Sequence, residues 1–342
     1  MGKKRKRMYL LSAVTLALLF GALLLVFRNA LPEILANLRA VPPAGALALL
    51  VMGFAYEAME SAVGFVLLRR SKPDITFGDA LNLTFLGVFG NIATMGAATL
   101  PAQGYYLYRR GLDAGSSVGI MASEYVLHKG SVLLYAALAL FFGGGWLRER
   151  AEGLARYIGI GYGIGALIVL ALTLLYTSDR VLSLVLMLLR KLPDTPKWCA
   201  RCEKWTASLT RLNSEAKKVL LVPSNCVRGV AVSLCKLFVL YCIPYVGLRL
   251  VGCTALTFAQ VQLLASLMLL ITSALPNVAG VGPMEFAFLL LFSPLTGSGA
   301  ASSALVLYRV ATYFSPFLLS ILVFLREEKR SLSGFDEETP GN

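Results

Sequence analysis

One histidine, His128, stands in 342 residues. That scarcity excludes a site built on two histidines and leaves any Ser–His hydrolase constellation without a convincing set of partners. Cysteine occurs six times but in only one close pair, Cys199-Ala-Arg-Cys202. No second such pair follows to complete four zinc ligands, so this one reads as reduced and solvated. Long polar intervals are also missing. The longest, about 177–225, is too short and too amphipathic to form an independent enzyme core. Gly280-Val-Gly282 has no βαβ context, so it is no dinucleotide fingerprint.

Apolar sequence fills most of what remains. Hydrophobic residues make up 57% of the chain and the mean hydropathy is +0.71. This is the composition of an all-α polytopic integral membrane protein. The formal charge of +13 does not call for nucleic acid, because Lys and Arg gather at the ends of apolar runs as the positive-inside rule requires. Such basic segments also favour anionic lipid surfaces. Lys3 to Arg7 precede the run Met8–Phe27, which is long enough to cross a bilayer and has no clear small-residue cleavage site. It reads as a retained first helix with a cytoplasmic N-terminus.

Further runs of spanning length fall at 44–69, 116–142, 157–176, 229–251 and 300–325, making six full spans in all. Two other regions, 78–108 and 255–296, each look like two short apolar pieces joined by a break. Charge decides how the first is threaded. A single crossing by 78–108 would put Arg109 and Arg110 outside, together with the basic 177–225 segment and its flank through Arg228, which carry ten Lys/Arg against four acids. Both violations vanish if 78–108 enters and returns, turning near Gly90-Asn91 or Met95-Gly96. The second pair must begin and end outside so that Arg326 to Arg330 stay cytoplasmic. Its last piece, Met284–Leu295, is shorter than the ~20 residues of a spanning helix. The expectation is two re-entrant hairpins entering from opposite sides, in an inverted pseudo-symmetric arrangement, with both termini cytoplasmic. One membrane domain then covers 1–330, with 177–225 as a cytoplasmic amphipathic basic segment and 331–342 as a polar tail.

Pro276-Asn-Val-Ala-Gly280-Val-Gly282-Pro283-Met-Glu285 is the most informative stretch. Backbone that breaks a helix at membrane depth must be buried in protein or line a watered cavity, and such breaks mark substrate sites in transporters. Each ionisable group inside the bilayer also needs a reason, because it costs ~2.5–3.5 kcal/mol on insertion scales. Glu57 and Glu60, three apart, share a helix face. Glu124 and His128, four apart beside Lys129, could relay a proton. Lys236 lies two turns into 229–251. Arg309 lies roughly 14 Å into the last helix at 1.5 Å per residue, near the midplane. A re-entrant tip would bring Glu285 to the same depth as its partner. Guanidinium suits bidentate phosphate recognition, and Pro283 suits a first helical turn whose N–H groups can face an anion.

The run Gly280-Val-Gly282-Pro-Met-Glu285, a Leu-rich piece, a Gly/Ala/Ser break at 297–303, then Leu307-Tyr-Arg309, Tyr313 and Pro316 resembles the closing signature of the lysylphosphatidylglycerol synthase transmembrane-region family, also called flippase-like domain proteins. The likeness extends over about 8–326. It implies translocation of anionic or aminoacylated phospholipids across the bacterial cytoplasmic membrane, through a headgroup cavity between two re-entrant hairpins. Bifunctional relatives continue into a soluble aminoacyl-transferase domain, and no such domain follows residue 330 here. The expectation is therefore a non-enzyme without a cofactor. Relatives often carry a Gly-acid-x-x-Arg sequence in the first hairpin, where Thr99-Leu-Pro101-Ala-Gln103-Gly104 stands instead.

The leading expectation is a standalone lipid translocase. Glu285 and Arg309, with Gly280, Gly282, Pro283 and Tyr313, would form a gate or headgroup clamp. Gln103, Asn91, Lys236, Glu57 and Glu60 would line the path. The alternative is a non-transporting membrane partner that presents lipid to a separate lipid-modifying enzyme. A membrane-embedded aminoacyl-lipid synthase acting alone is a third reading. Membrane phospholipids are the expected partners, and self-association is left open.

Overall fold

The computed structural model describes residues 36–94, 98–150, 154–190, 196–275 and 282–337, which are helices joined by short connections. The first helix expected at 8–27 lies outside these residues. Five helices are long and apolar enough to cross a membrane: Pro43–Ser71, Ala114–Glu149, Arg156–Thr177, Pro223–Leu250 and Ser298–Lys329. They coincide with the five remaining spans expected from hydropathy. The chain is an α-helical polytopic membrane protein.

Helix α1 (Pro43–Ser71) leads into α2 (Phe77–Ala93) and α3 (Thr99–Arg109), which pack against each other as a hairpin. The two helices are separated between Ala93 and Thr99, and Met95-Gly96, one of the two turn positions expected, lies outside the described residues. Gly90-Asn91, the other, is instead inside α2. The reason is packing. A Cβ on Gly90 would stand 2.7 Å from the Ala98 carbonyl oxygen, so glycine here lets α3 lean on α2 rather than breaking it. Thr94 then steers the turn, donating to the Gly90 carbonyl at 2.7 Å and accepting from the Ala98 N–H at 2.7 Å.

The long α4 (Ala114–Arg150) and α5 (Leu154–Thr177) follow. Next come α6 (Asp179–Arg190) and α7 (Pro196–Leu220), where a short apolar stretch and a basic helix were expected. Helix α7 packs closely along α4, so the basic segment is part of the bundle rather than a loose loop. Ser71 donates to Glu215 at 2.5 Å and Asn213 to the Tyr176 carbonyl at 3.0 Å, fastening it.

The second half repeats the first. Helix α8 (Pro223–Leu250) starts with proline in its first turn, as α1 does. Helix α9 (Phe258–Ala274) has 17 residues and a Thr257/Gln260 capping box, matching the 17 residues and Thr76/Asp79 box of α2. A shorter α10 (Pro283–Thr296) completes this hairpin, and α11 (Ser298–Arg309) runs through a π turn (Val310–Phe314) into α12 (Ser315–Glu337). The helix thus continues past residue 330, where a tail was expected. Helices α1 and α8, the equivalent members of the two halves, pack tightly together at the centre. A Cβ on Gly53 of α1 would stand 2.0 Å from the Ala311 carbonyl oxygen, so α1 also touches the π turn backbone to backbone.

Candidate functional site

A polar cavity opens where α1, the first hairpin and α4 meet. It has two adjoining lobes of about 270 and 490 Å³, with Glu60, Thr99, Gln103 and Glu124 in the walls of both. Glu57, Thr84 and Asn91 line the smaller lobe. Val118, Tyr125, His128 and Tyr176 line the larger one. Together the two lobes are in the range that holds a small ligand.

Lys236 reaches the cavity wall from α8 and is completely buried. Its ammonium forms an ion pair with Glu60, and it lies 3.0 Å from His128 Nδ1. A protonated amine only donates. While Lys236 is charged, His128 therefore accepts through Nδ1 and carries its own proton on Nε2. His128 thus meets a side chain from another helix rather than bonding directly to Glu124, its expected relay partner four residues before it. Among the described residues the two side chains share no hydrogen bond, although both line the larger lobe.

Glu57 is buried to 5% exposure, and Glu124 Oε1 would lie 3.3 Å from a Cβ at Gly64. Both carboxylates face Glu60 and Lys236 through space, and neither has a hydrogen-bond or ion-pair partner among the described residues. Thr99 Oγ1, in the wall of both lobes, is likewise buried without a hydrogen-bond partner among them. Gln103 turns its Nε2 to the Leu83 carbonyl at 3.3 Å, leaving its oxygen free of that bond. Lys236 balances one of three cavity carboxylates. The wall therefore offers two further carboxyl groups and open hydrogen-bonding capacity.

Glu285 and Arg309 form a second buried group, and their expected pairing is present. Pro283 is at the first position of α10, and Gly282 caps it at φ 97°, a left-handed value that favours glycine. Glu285 Oε2 accepts the Gly282 N–H at 2.7 Å. Its Oε1 accepts from Arg309 Nε at 2.7 Å and Nη2 at 2.6 Å. The guanidinium also covers the Tyr313 ring, 5.2 Å from its centroid. Every polar atom of the carboxylate is engaged within the protein. Neither residue lines the polar cavity, so the site residues inferred from sequence divide into two places. Gly280 lies outside the described residues.

Two features escaped sequence reading. The π turn directly after Arg309 has no composition signal, although such turns recur at functional sites. The base of the first hairpin is clasped by Asp79, which accepts from the Tyr106 hydroxyl at 3.0 Å and pairs with Arg110 at 2.7 Å. Its signal was available in the Thr76-Phe-Gly-Asp79 capping box. Among the described residues no group of three or more His, Cys, Asp or Glu could hold a metal ion.

The family model described as lysylphosphatidylglycerol synthase TM region matches residues 12–320. The chain belongs to this family. The match takes in both hairpins, the polar cavity and the Glu285–Arg309 pair, which places all of them within the membrane region that defines the lysylphosphatidylglycerol synthase TM family and gives the chain a role connected with membrane lipid. No curated protein matches the sequence.

Proposed function

We propose that the protein translocates a phospholipid headgroup through the polar cavity while the acyl chains stay in the bilayer. The observation that carries this reading is the pair of carboxylates, Glu57 and Glu124, left without partners beside a neutralised Glu60–Lys236 pair. An ionisable group left without a partner at membrane depth is expensive, and such groups mark substrate and proton pathways. Family membership supports anionic or aminoacylated phospholipid as the substrate class. The carboxyl groups favour the aminoacylated member, whose ammonium can pair with Glu57 or Glu124, or replace Lys236 at Glu60. Thr99, Gln103 and Asn91 offer neutral hydrogen-bonding groups for the rest of the headgroup.

Glu285 and Arg309 act in this scheme as a latch. Their atoms are occupied by each other and by Gly282, so they fix the mouth of the second hairpin rather than grip a headgroup. The termini and the basic α7 face the cytoplasm, as the positive-inside rule requires.

The test is flipping in liposomes containing the purified chain, with phosphatidylglycerol, its lysyl ester and a polyprenyl phosphate as separate probes. The expected result is flipping of the lysyl ester ahead of the other two. Absence of flipping for all three, in protein that melts cooperatively, would remove the translocase reading. A lipid-presenting partner of a separate enzyme would then stand in its place.

A further inference from the structure

A second cavity of about 530 Å³ lies farther along α4, lined by Phe142, Trp146, Phe238 and Phe258 with Tyr135 and Gln262 among them. The polar cavity meets α4 at residues 118–128 and this groove meets it at 135–146. The two therefore occupy successive lengths of one helix. Between them the α4–α8 interface is polar where an apolar seam is the norm. His128, Ser131 and Tyr135 fall at i, i+3 and i+7, one face of α4. Ser233, Lys236 and Tyr241 come from α8, and the Tyr241 ring meets Tyr135 edge-on with centroids 4.9 Å apart.

Three hydroxyls in this seam, those of Ser131, Ser233 and Tyr241, are fully buried and have no hydrogen-bond partner among the described residues. Buried hydroxyls are rarely left so, and enclosed water is the usual means of satisfying them. Tyr135 at the groove end is already bonded, donating to Gln262 Oε1 at 2.7 Å.

From this arrangement we infer that the α4–α8 seam is a proton path joining the apolar groove to the polar cavity, through Tyr241, Ser131 and Ser233 to Lys236 and His128. Each hydroxyl accepts a proton on oxygen and passes on its own, so one proton moves and no group changes permanently. At the cavity end Lys236 hands a proton to His128 Nδ1 and regains one from the chain of hydroxyls and water. His128 releases its Nε2 proton to the cavity, and a flip of the ring then presents its bare nitrogen to Lys236 again. The groups facing Lys236 are Glu57 and Glu60 from α1 and Glu124 and His128 from α4. Lys129 points elsewhere, to Ser273 at 2.9 Å. A proton delivered to these acids would weaken their hold on a headgroup ammonium. The seam would thus couple proton movement to headgroup release, a role that rests on the translocase reading.

The experiment uses proteoliposomes with a trapped pH dye, a valinomycin-driven potassium potential, and lysyl-phosphatidylglycerol present or absent. Wild-type protein should acidify the lumen faster with the lysyl lipid present. The Ser131→Ala/Ser233→Ala/Tyr241→Phe variant should fall to the protein-free rate. Losing unpartnered hydroxyls removes no protein hydrogen bond, so the variant should keep its melting temperature. Wild-type influx at the protein-free rate, or equal influx in the variant, overturns the path. Lipid flipping is recorded in the same vesicles. Flipping without proton influx sinks the path and leaves the translocase, whereas influx without flipping leaves the path and sinks the translocase.

Discussion

The two hairpins are built alike and furnished differently. Each begins with a 17-residue helix behind a Thr capping box and continues into a shorter helix. Beneath the first, ionisable groups face a cavity and two carboxyl groups have no hydrogen-bond or ion-pair partner among the described residues. At the second, Glu285 and Arg309 are buried and close on each other. Open valences beside space are what a ligand needs. Closed ones hold structure. The two regions should therefore respond oppositely to substitution, one losing function while it stays folded and the other losing stability first.

The largest stability effect is expected at the closed pair. Arg309→Ala strands a buried carboxylate and should cost about 3–5 kcal/mol, read as a large drop in melting temperature in detergent. Glu285→Gln/Arg309→Met, which removes both charges together, should recover most of it. A double variant as unstable as the single one would show that Arg309 matters through something other than its charge.

Next comes Gly53→Ala. Helix propensity would favour alanine by about 0.8–1 kcal/mol. Against this, the new methyl would sit 2.0 Å from the Ala311 carbonyl oxygen, and overpacking costs about 1–3 kcal/mol where backbone must shift. The clash should win, and a thermal melt at or above the wild-type temperature would contradict the α1–π turn contact.

A smaller effect belongs to Asp113, at the start of α4. Partial burial pushes its carboxyl up, but the Ser116 hydroxyl and N–H and the Arg211 guanidinium more than reverse this, holding it below its ordinary 3.8. A depressed carboxyl contributes stability above its unfolded value and loses it as pH falls through the folded one. Asp113→Ala should cost about 1 kcal/mol at neutral pH. The gap from wild type should shrink once the pH drops below 3.8. A gap that persists unchanged in acid would show that the side chain acts by packing. Smallest of all should be the change in melting temperature on Glu57→Gln/Glu124→Gln, where no protein bond is lost.

Much of this organisation was legible from length, charge and breaks. Charge parity required 78–108 to turn back, and the depth of Arg309 called for a carboxylate, for which Glu285 was at hand. What stayed hidden was long-range. Glu60 and Lys236 are separated by 176 residues, and nothing local to either chooses the other. The spacing of Glu124 and His128 suggested a pair because i, i+4 neighbours meet on an isolated helix. Tertiary packing placed Lys236 beside His128 instead. The π turn left no local signal, and its close approach to Gly53 of α1 through the Ala311 carbonyl is a contact no sequence pattern foretells. Thr312 and Ser315 accommodate it by donating to the Tyr308 and Ala311 carbonyls at 2.8 and 3.1 Å.

The central claim is that headgroup selection resides under the first hairpin and not at the Glu285–Arg309 latch. It is tested most directly by the ratio of flipping rates for lysyl-phosphatidylglycerol and phosphatidylglycerol. The ratio is compared in wild type, Glu57→Gln/Glu124→Gln and Glu285→Gln/Arg309→Met reconstituted side by side. The account predicts that the ratio collapses toward one in the first variant and keeps its wild-type value in the second. A ratio that survives loss of Glu57 and Glu124 but collapses with the latch would contradict it.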